Sequence, residues 1–232
     1  MDEARITRRG SLLKLGGAAV AAVAGWRVVD ATEDAQGAGP AAVSSGAVSC
    51  VLAPEQTEGP YYLPGDKLRR NVTEGKAGVP LTLKLTVLDV STCKPIKGAA
   101  VDIWHADAGG VYSGTSVQGT EDLTFLRGIQ KTDAKGVATF KTIYPGWYQG
   151  RTVHLHVRVS LGGNIVHTGQ LYFPDALTDT VYKRSPYGSR PGRTTRNTAD
   201  SIYRNGGSKS TLKLRKVGTG YTGSISMGVQ RS

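Results

Sequence analysis

The sequence predicts an all-β protein, a sandwich or a barrel of short strands. Three observations carry that expectation. Apolar and polar residues alternate in a series of short runs, as they do when one face of a strand is buried and the other is wet. Turn signals, many drawn from the chain's 31 glycines, separate those runs. No stretch beyond residue 47 sustains a helical period, which leaves strands to build the core. With 20% charged and 39% hydrophobic residues, the composition is that of a folded domain rather than a disordered chain.

The first element is a leader. Thr7-Arg8-Arg9-Gly10-Ser11-Leu12-Leu13-Lys14 precedes a Gly/Ala-rich apolar run from Leu15 to Trp26. A membrane span needs about 20 apolar residues. This run is shorter, so no stable membrane anchor is expected. A basic start followed by a modest apolar stretch is a signal-peptide pattern, and the paired arginines are similar to a twin-arginine signal. Residues 28–47 are rich in Ala, Gly and Ser and read as a cleavage region with a flexible lead-in. The expected division is therefore a signal peptide and linker over 1–47 and one β-sandwich domain over 48–232. The expected partner of the leader is the twin-arginine export machinery, and the expected location is secreted or periplasmic. The two cysteines, Cys50 and Cys93, fall in the exported part. An even count in an oxidising compartment points to one disulfide, with two free buried thiols as the alternative.

The strands follow in order. In Leu81–Val90, Leu81, Leu83, Leu85 and Val87 share one face, while Thr82, Lys84 and Thr86 share the other. After the turn Lys94-Pro95-Ile96-Lys97-Gly98, Ala99–His105 reads as a second strand. Further strands are expected over Val137–Ile143, Thr152–Ser160, Ile165–Phe173, Leu212–Val217 and Thr222–Val229. Asp133-Ala134-Lys135-Gly136, Leu161-Gly162-Gly163-Asn164 and Gly218-Thr219-Gly220 supply the turns between them. Residues 174–205 read as irregular structure with a short helix.

The net charge is +11. Residues 1–47 hold five basic and five acidic residues, so the whole excess falls on the remainder. It either attracts anionic substrates and polymers or simply keeps a basic surface soluble. No nucleic-acid-binding motif is present, and nucleic acid is not an expected partner.

The chemistry concentrates in three places. His154-Leu155-His156 lies within a strand pattern, so both imidazoles share a face. Such a pair serves either as metal ligands or as structural histidines. The loop before it, Pro145-Gly146-Trp147-Tyr148-Gln149-Gly150-Arg151, carries a tyrosine and an arginine. Upstream, Val101-Asp102-Ile103-Trp104-His105-Ala106-Asp107 leads to a turn presenting Tyr112-Ser113, and Thr57-Glu58-Gly59-Pro60-Tyr61-Tyr62 precedes both.

In those elements, and in their order, the sequence resembles the intradiol ring-cleavage dioxygenases, the catechol and protocatechuate dioxygenase family. The resemblance covers roughly residues 50–175. It implies an antiparallel β-sandwich whose long loops carry a metal site, here Fe(III) held by Tyr112, Tyr148, His154 and His156. Ferric iron is a hard cation that favours anionic oxygen, and two phenolates meet that preference once their protons are displaced. The resemblance also implies catalytic roles for Tyr148 as base and for Arg151 and Gln170 as stabilisers of negative charge. The implied reaction is cleavage of a small aromatic diol with O2 to a cis,cis-muconate-type diacid. Tyr61 and Tyr62 are candidates for the substrate mouth, with plain packing as the alternative. Trp104 and Trp147 are expected to pack, and His105 and His167 are not expected to be ligands.

Two other classes remain in view at this point: a non-catalytic β-sandwich binding module, and a zinc metallohydrolase using His154 and His156. Only five residues separate Tyr148 from His154, fewer than in better-known members of the family. A shorter loop implies a more open site and wide tolerance of substituted catechols. The family's catechol branch carries an N-terminal helical dimerisation segment that has no counterpart in 1–47, so its mode of dimerisation is not carried over.

Overall fold

The computed structural model describes residues 50–65 and 67–231. The leader, the linker and the boundary at 47/48 lie outside the described residues. Eight strands form: β1 (Pro80–Asp89), β2 (Ala100–Trp104), β3 (Arg127–Lys131), β4 (Val137–Ile143), β5 (His154–Leu161), β6 (Asn164–Tyr172), β7 (Lys213–Val217) and β8 (Gly220–Val229). Two short α-helices, α1 (Asp175–Val181) and α2 (Ser201–Arg204), interrupt the long connection from β6 to β7.

The strands make two four-stranded sheets, ordered β4-β1-β8-β7 and β3-β2-β5-β6. Pairing within them is antiparallel except between β1 and β8, which run parallel. This all-β sandwich is the expected fold class, with one parallel pair that strand patterns alone do not disclose. Direction depends on how a distant strand returns, and β8 is more than 100 residues from β1.

The strand alternation explains the layers. Leu81, Leu83, Leu85 and Val87 of β1 face Val101 and Ile103 of β2 and Leu155, Val157 and Val159 of β5 across a common core, all at 0–1% exposure. Because side chains alternate, the other face of β5 carries His154 and His156, and that of β2 carries Trp104. The histidines therefore lie on the outer face of the second sheet, beneath loops rather than in the core. Cross-strand register completes a row there: Arg127, Trp104, His156 and Gln170 stand side by side, with His154 opposite Tyr172 in the next row.

Strand β3 was not expected. Its sequence, Arg-Gly-Ile-Gln-Lys, has one aliphatic residue and no alternation. It exists as an edge strand because the segment before β1 covers it, with Arg69 N–H donating to the Ile129 carbonyl and Ile129 N–H to that of Lys67, each at 2.9 Å.

Cys50 and Cys93, 43 positions apart in sequence, are disulfide-bonded with Cα atoms 5.5 Å apart. The bond ties the start of the described chain to the turn after β1. Closing a loop of this length is worth about 3–4 kcal/mol in the chain-entropy model. The C50S/C93S double variant should lose about that much stability in urea unfolding, with unchanged secondary structure by circular dichroism.

Candidate metal centre

Each site residue is placed by local structure. Tyr112 follows a turn organised by Asp107, whose Oδ1 accepts from the N–H groups of Gly109 (2.9 Å) and Val111 (3.0 Å). The buried Arg127 holds the next residue: its Nε donates to Ser113 Oγ (2.9 Å) and its Nη2 to the Ser113 carbonyl (2.6 Å). Tyr148 sits on the loop from β4 to β5. There Gly146 passes so close to the Asp107 and Ala108 carbonyls that an added Cβ would meet them at 2.3–2.5 Å. Only glycine allows that approach. Gly59, at φ +70°, packs its backbone on His156; a Cβ there would lie 3.2 Å from the ring.

These placements bring the polar atoms together. Tyr148 Oη lies 3.0 Å from His154 Nε2, and His154 Nε2 lies 3.2 Å from His156 Nε2. Tyr112 completes the group, with its ring centroid 5.8 Å from that of Tyr148 and 6.1 Å from that of His156. His154 Nδ1 is 2.7 Å from the Thr152 carbonyl. That carbonyl can only accept, so Nδ1 carries the proton and Nε2 keeps its lone pair. His156 stacks on Trp104, centroids 4.9 Å apart and planes 6° from parallel. Among the described residues, His156 Nδ1 is buried without a hydrogen-bond partner, and the buried Tyr112 hydroxyl has only the Tyr148 hydroxyl beside it. An unsatisfied buried polar group costs about 1–3 kcal/mol. A cation among these atoms would satisfy the Tyr112 oxygen.

The electrostatics point the same way. Burial, and then the neighbouring Tyr148, raise the Tyr112 pKa well above its ordinary value. Tyr148 is raised as well, chiefly by burial, with Arg151 opposing the rise. Burial, followed by Arg151, pushes His154 down to about 3, and burial with His154 holds His156 well below its usual value. The histidines are thus neutral donors. The phenols hold their protons until a strong positive charge displaces them.

Arg151 lies against this cluster. Its Nη1 is 3.4 Å from His154 Nε2, its Nη2 donates to Gln170 Oε1, and its Nε donates to Asp200 Oδ2 at 2.8 Å. Gln170 is fixed from behind, its Nε2 donating to the Thr57 carbonyl at 2.9 Å. Tyr61 stacks on Tyr112 at 4.2 Å and meets Tyr148 edge-on at 6.2 Å. Tyr62 points elsewhere, packing on Trp104 and under the Arg158 guanidinium, which lies 3.6 Å from its ring centre and pairs with Glu58. Trp104 is fully buried and Trp147 half-buried beneath Arg190, as packing roles require. Asp200, Arg127 and Tyr172 are the residues of this site that the sequence did not single out.

His105 and His167 are engaged elsewhere. His105 bonds the Ala106 carbonyl (2.8 Å) and Thr142 Oγ1 (2.7 Å), and His167 pairs with Glu55 at 2.7 Å. Burial pushes His105 down to about 4. The ring is neutral in the fold and titrates near 6.5 once unfolded. Its contribution is therefore complete above pH 6.5 and is lost as pH falls towards 4, because the unfolded chain binds the extra proton. The full loss is about 3 kcal/mol. Urea unfolding of wild type and H105Q at pH 7 and pH 5 should show a smaller decline for the variant.

Two phenols and two imidazoles thus converge beneath the loops of the β-sandwich, a donor set that could hold a hard cation. The oxygens beside the histidine pair are phenolic. Among the described residues, no group of three or more His, Cys, Asp and Glu could hold a metal.

A family model described as "Dioxygenase" matches residues 57–183. Among solved structures, the intradiol ring-cleavage dioxygenase from Tetranychus urticae is 35% identical, with a TM-score of 0.74 over 78% of this chain and 95% of that one. The dioxygenase domain of a dioxygenase and carbohydrate-binding protein fusion from Streptomyces sp. SirexAA-E is 34% identical, with a TM-score of 0.61 over 78% of this chain and 100% of that one. Catechol 1,2-dioxygenase 1 from Acinetobacter lwoffii is 36% identical over 112 residues, 44% of this chain and 35% of the relative. The chain belongs to the intradiol ring-cleavage dioxygenase family. It spans 35–52% of the length of the curated relatives it matches.

Proposed function

We propose that the protein is an Fe(III)-dependent dioxygenase that opens catechol-type rings between the two hydroxyl-bearing carbons, consuming O2 and yielding a cis,cis-muconate-type diacid. The observation that carries this reading is the run of close contacts from Tyr148 through His154 to His156, beside the buried Tyr112 hydroxyl. Tyr112, Tyr148, His154 and His156 would hold the ion. When bound, iron would supply a Lewis-acidic, redox-active centre for the catechol oxygens and O2.

The chain's own groups then divide the work. Tyr148, the less buried of the two phenols, would take a proton from the incoming diol once its own had been displaced by the bound ion. Arg151 presents a permanent positive charge to the site and stabilises the negative charge that builds on the ring. Gln170, anchored on Thr57, fixes one edge of that guanidinium. Tyr61 offers an aromatic wall suited to a flat ring. Gln149 and Gly150 of the short loop are exposed, and a short loop here would leave the site open to substituted and lignin-derived catechols. Oxygen uptake with product identification on a panel of such catechols tests the reading. Intradiol products from several members are expected; extradiol products, or no uptake, would overturn it, and strict activity on catechol alone would overturn the open-site part.

The leader is proposed to direct export through the twin-arginine route, which the disulfide supports because such bonds persist in oxidising compartments. The R8K/R9K variant should accumulate inside the cell. Export at the wild-type level would refute this route.

A further inference from the structure

The buried carboxylate of Asp200 lies 49 residues from Arg151 in sequence, on a segment to which the reading above assigns no role. Asp200 is 1% exposed, and both of its oxygens are fully engaged. Oδ2 accepts from Arg151 Nε and from the Thr152 N–H, each at 2.8 Å. Oδ1 accepts from the N–H groups of Ile202 (2.8 Å) and Tyr203 (3.0 Å), capping α2. Burial alone would raise its pKa, but the amides of Thr152 and Tyr203 and the Arg151 guanidinium together hold it below the ordinary value.

The segment carrying Asp200 is itself clamped to the site. Asn197 accepts from Thr152 Oγ1 (2.6 Å) and donates to the Phe173 carbonyl (2.9 Å). Gln56 donates to the carbonyls of Ile202 and Asn205, both at 2.9 Å, and accepts from Tyr172 Oη at 2.9 Å. The Tyr172 hydroxyl in turn lies 3.2 Å from Gln170 Oε1. Asp200 and Gln170 thus hold two edges of the Arg151 guanidinium, and the third, Nη1, faces His154.

We infer that Asp200 is a positioning residue: its carboxylate aims the Arg151 guanidinium at the reacting centre and keeps it there during turnover. A long arginine side chain has many rotamers to choose among unless it is held. A guanidinium held at one edge alone would sweep several orientations, and charge stabilisation depends on donors already in place. The inference rests on the assignment of Arg151 to the reaction.

The alternative is that Asp200 merely caps α2, and a double-mutant cycle separates the two. Serine keeps an N-cap acceptor but is too short to span to Arg151 as well. In the iron-loaded full chain, D200S is expected to lower kcat about ten- to a hundred-fold, the range for supporting residues around a metal site. Its affinity for 4-nitrocatechol, read from the visible spectrum, should stay near wild type, while its thermal midpoint falls because the Thr152 N–H loses its acceptor. In an R151A background the same substitution should produce no further loss. D200N, which exchanges one acceptor for a donor at similar volume, runs the same cycle should D200S fold poorly. An equal loss with and without Arg151 would overturn the inference, as would full activity in D200S and D200N alongside an inactive R151A. Full activity in R151A itself would instead remove the assignment on which the inference stands.

Discussion

Replacing His156 by alanine is expected to leave a folded protein with little iron and no measurable ring cleavage. The expectation follows from where the residue sits. Its ring is held parallel to Trp104 on one side and against the Gly59 backbone on the other, so Nε2 has a single orientation, towards His154. Alanine leaves a gap between two rigid neighbours and removes one of only two nitrogen donors. Loss of a residue that merely supports a metal ligand weakens binding about 10–100-fold, and loss of the ligand itself should exceed that. Metal analysis after dialysis checks the first part, and oxygen uptake with catechol checks the second. Iron retained at one per chain, with activity intact, would remove His156 from the site.

The second large effect is expected at Arg151. Alanine there should lower kcat by about 10²–10³, the loss seen when one preorganised donor to developing charge is removed. Lysine should rescue little. The guanidinium uses Nε towards Asp200 and Nη2 towards Gln170 while Nη1 faces His154. An ammonium is a point charge that cannot hold three directions at once. Because its proposed role is towards charge that appears during the reaction, KM should change much less than kcat. Steady-state kinetics of R151A and R151K check this. A rise in KM at unchanged kcat would instead place Arg151 in simple substrate binding.

How much of this was legible in the sequence differs from residue to residue. The period of two in Leu81–Val87 and in His154–Val159 was enough to set core faces and to put both imidazoles on one side. The same rule reaches Tyr172, two residues beyond Gln170 on β6. Strand β3 was hidden because an edge strand covered by another segment needs no alternating pattern. The parallel pairing of β8 with β1 was hidden because direction is set by a long return. Asp200 was hidden for a third reason. It sits in an aperiodic loop where an acidic residue ordinarily faces water, and only tertiary contact brings it under Arg151. The local cue, an aspartate immediately before a short helix, marks a cap and not a partner for a distant arginine. Tyr112, Tyr148 and Arg151 were found by resemblance to a family pattern; periodicity alone would have left them in loops.

The visible absorption spectrum of the iron-loaded protein bears most directly on the four-residue site. Phenolate bound to ferric iron absorbs visible light by charge transfer from ligand to metal. The expected result is a deeply coloured protein whose broad visible band shifts on anaerobic addition of a catechol and is altered in both Y112F and Y148F. A colourless protein carrying one iron per chain would contradict ligation by Tyr112 and Tyr148, and with it the proposed centre.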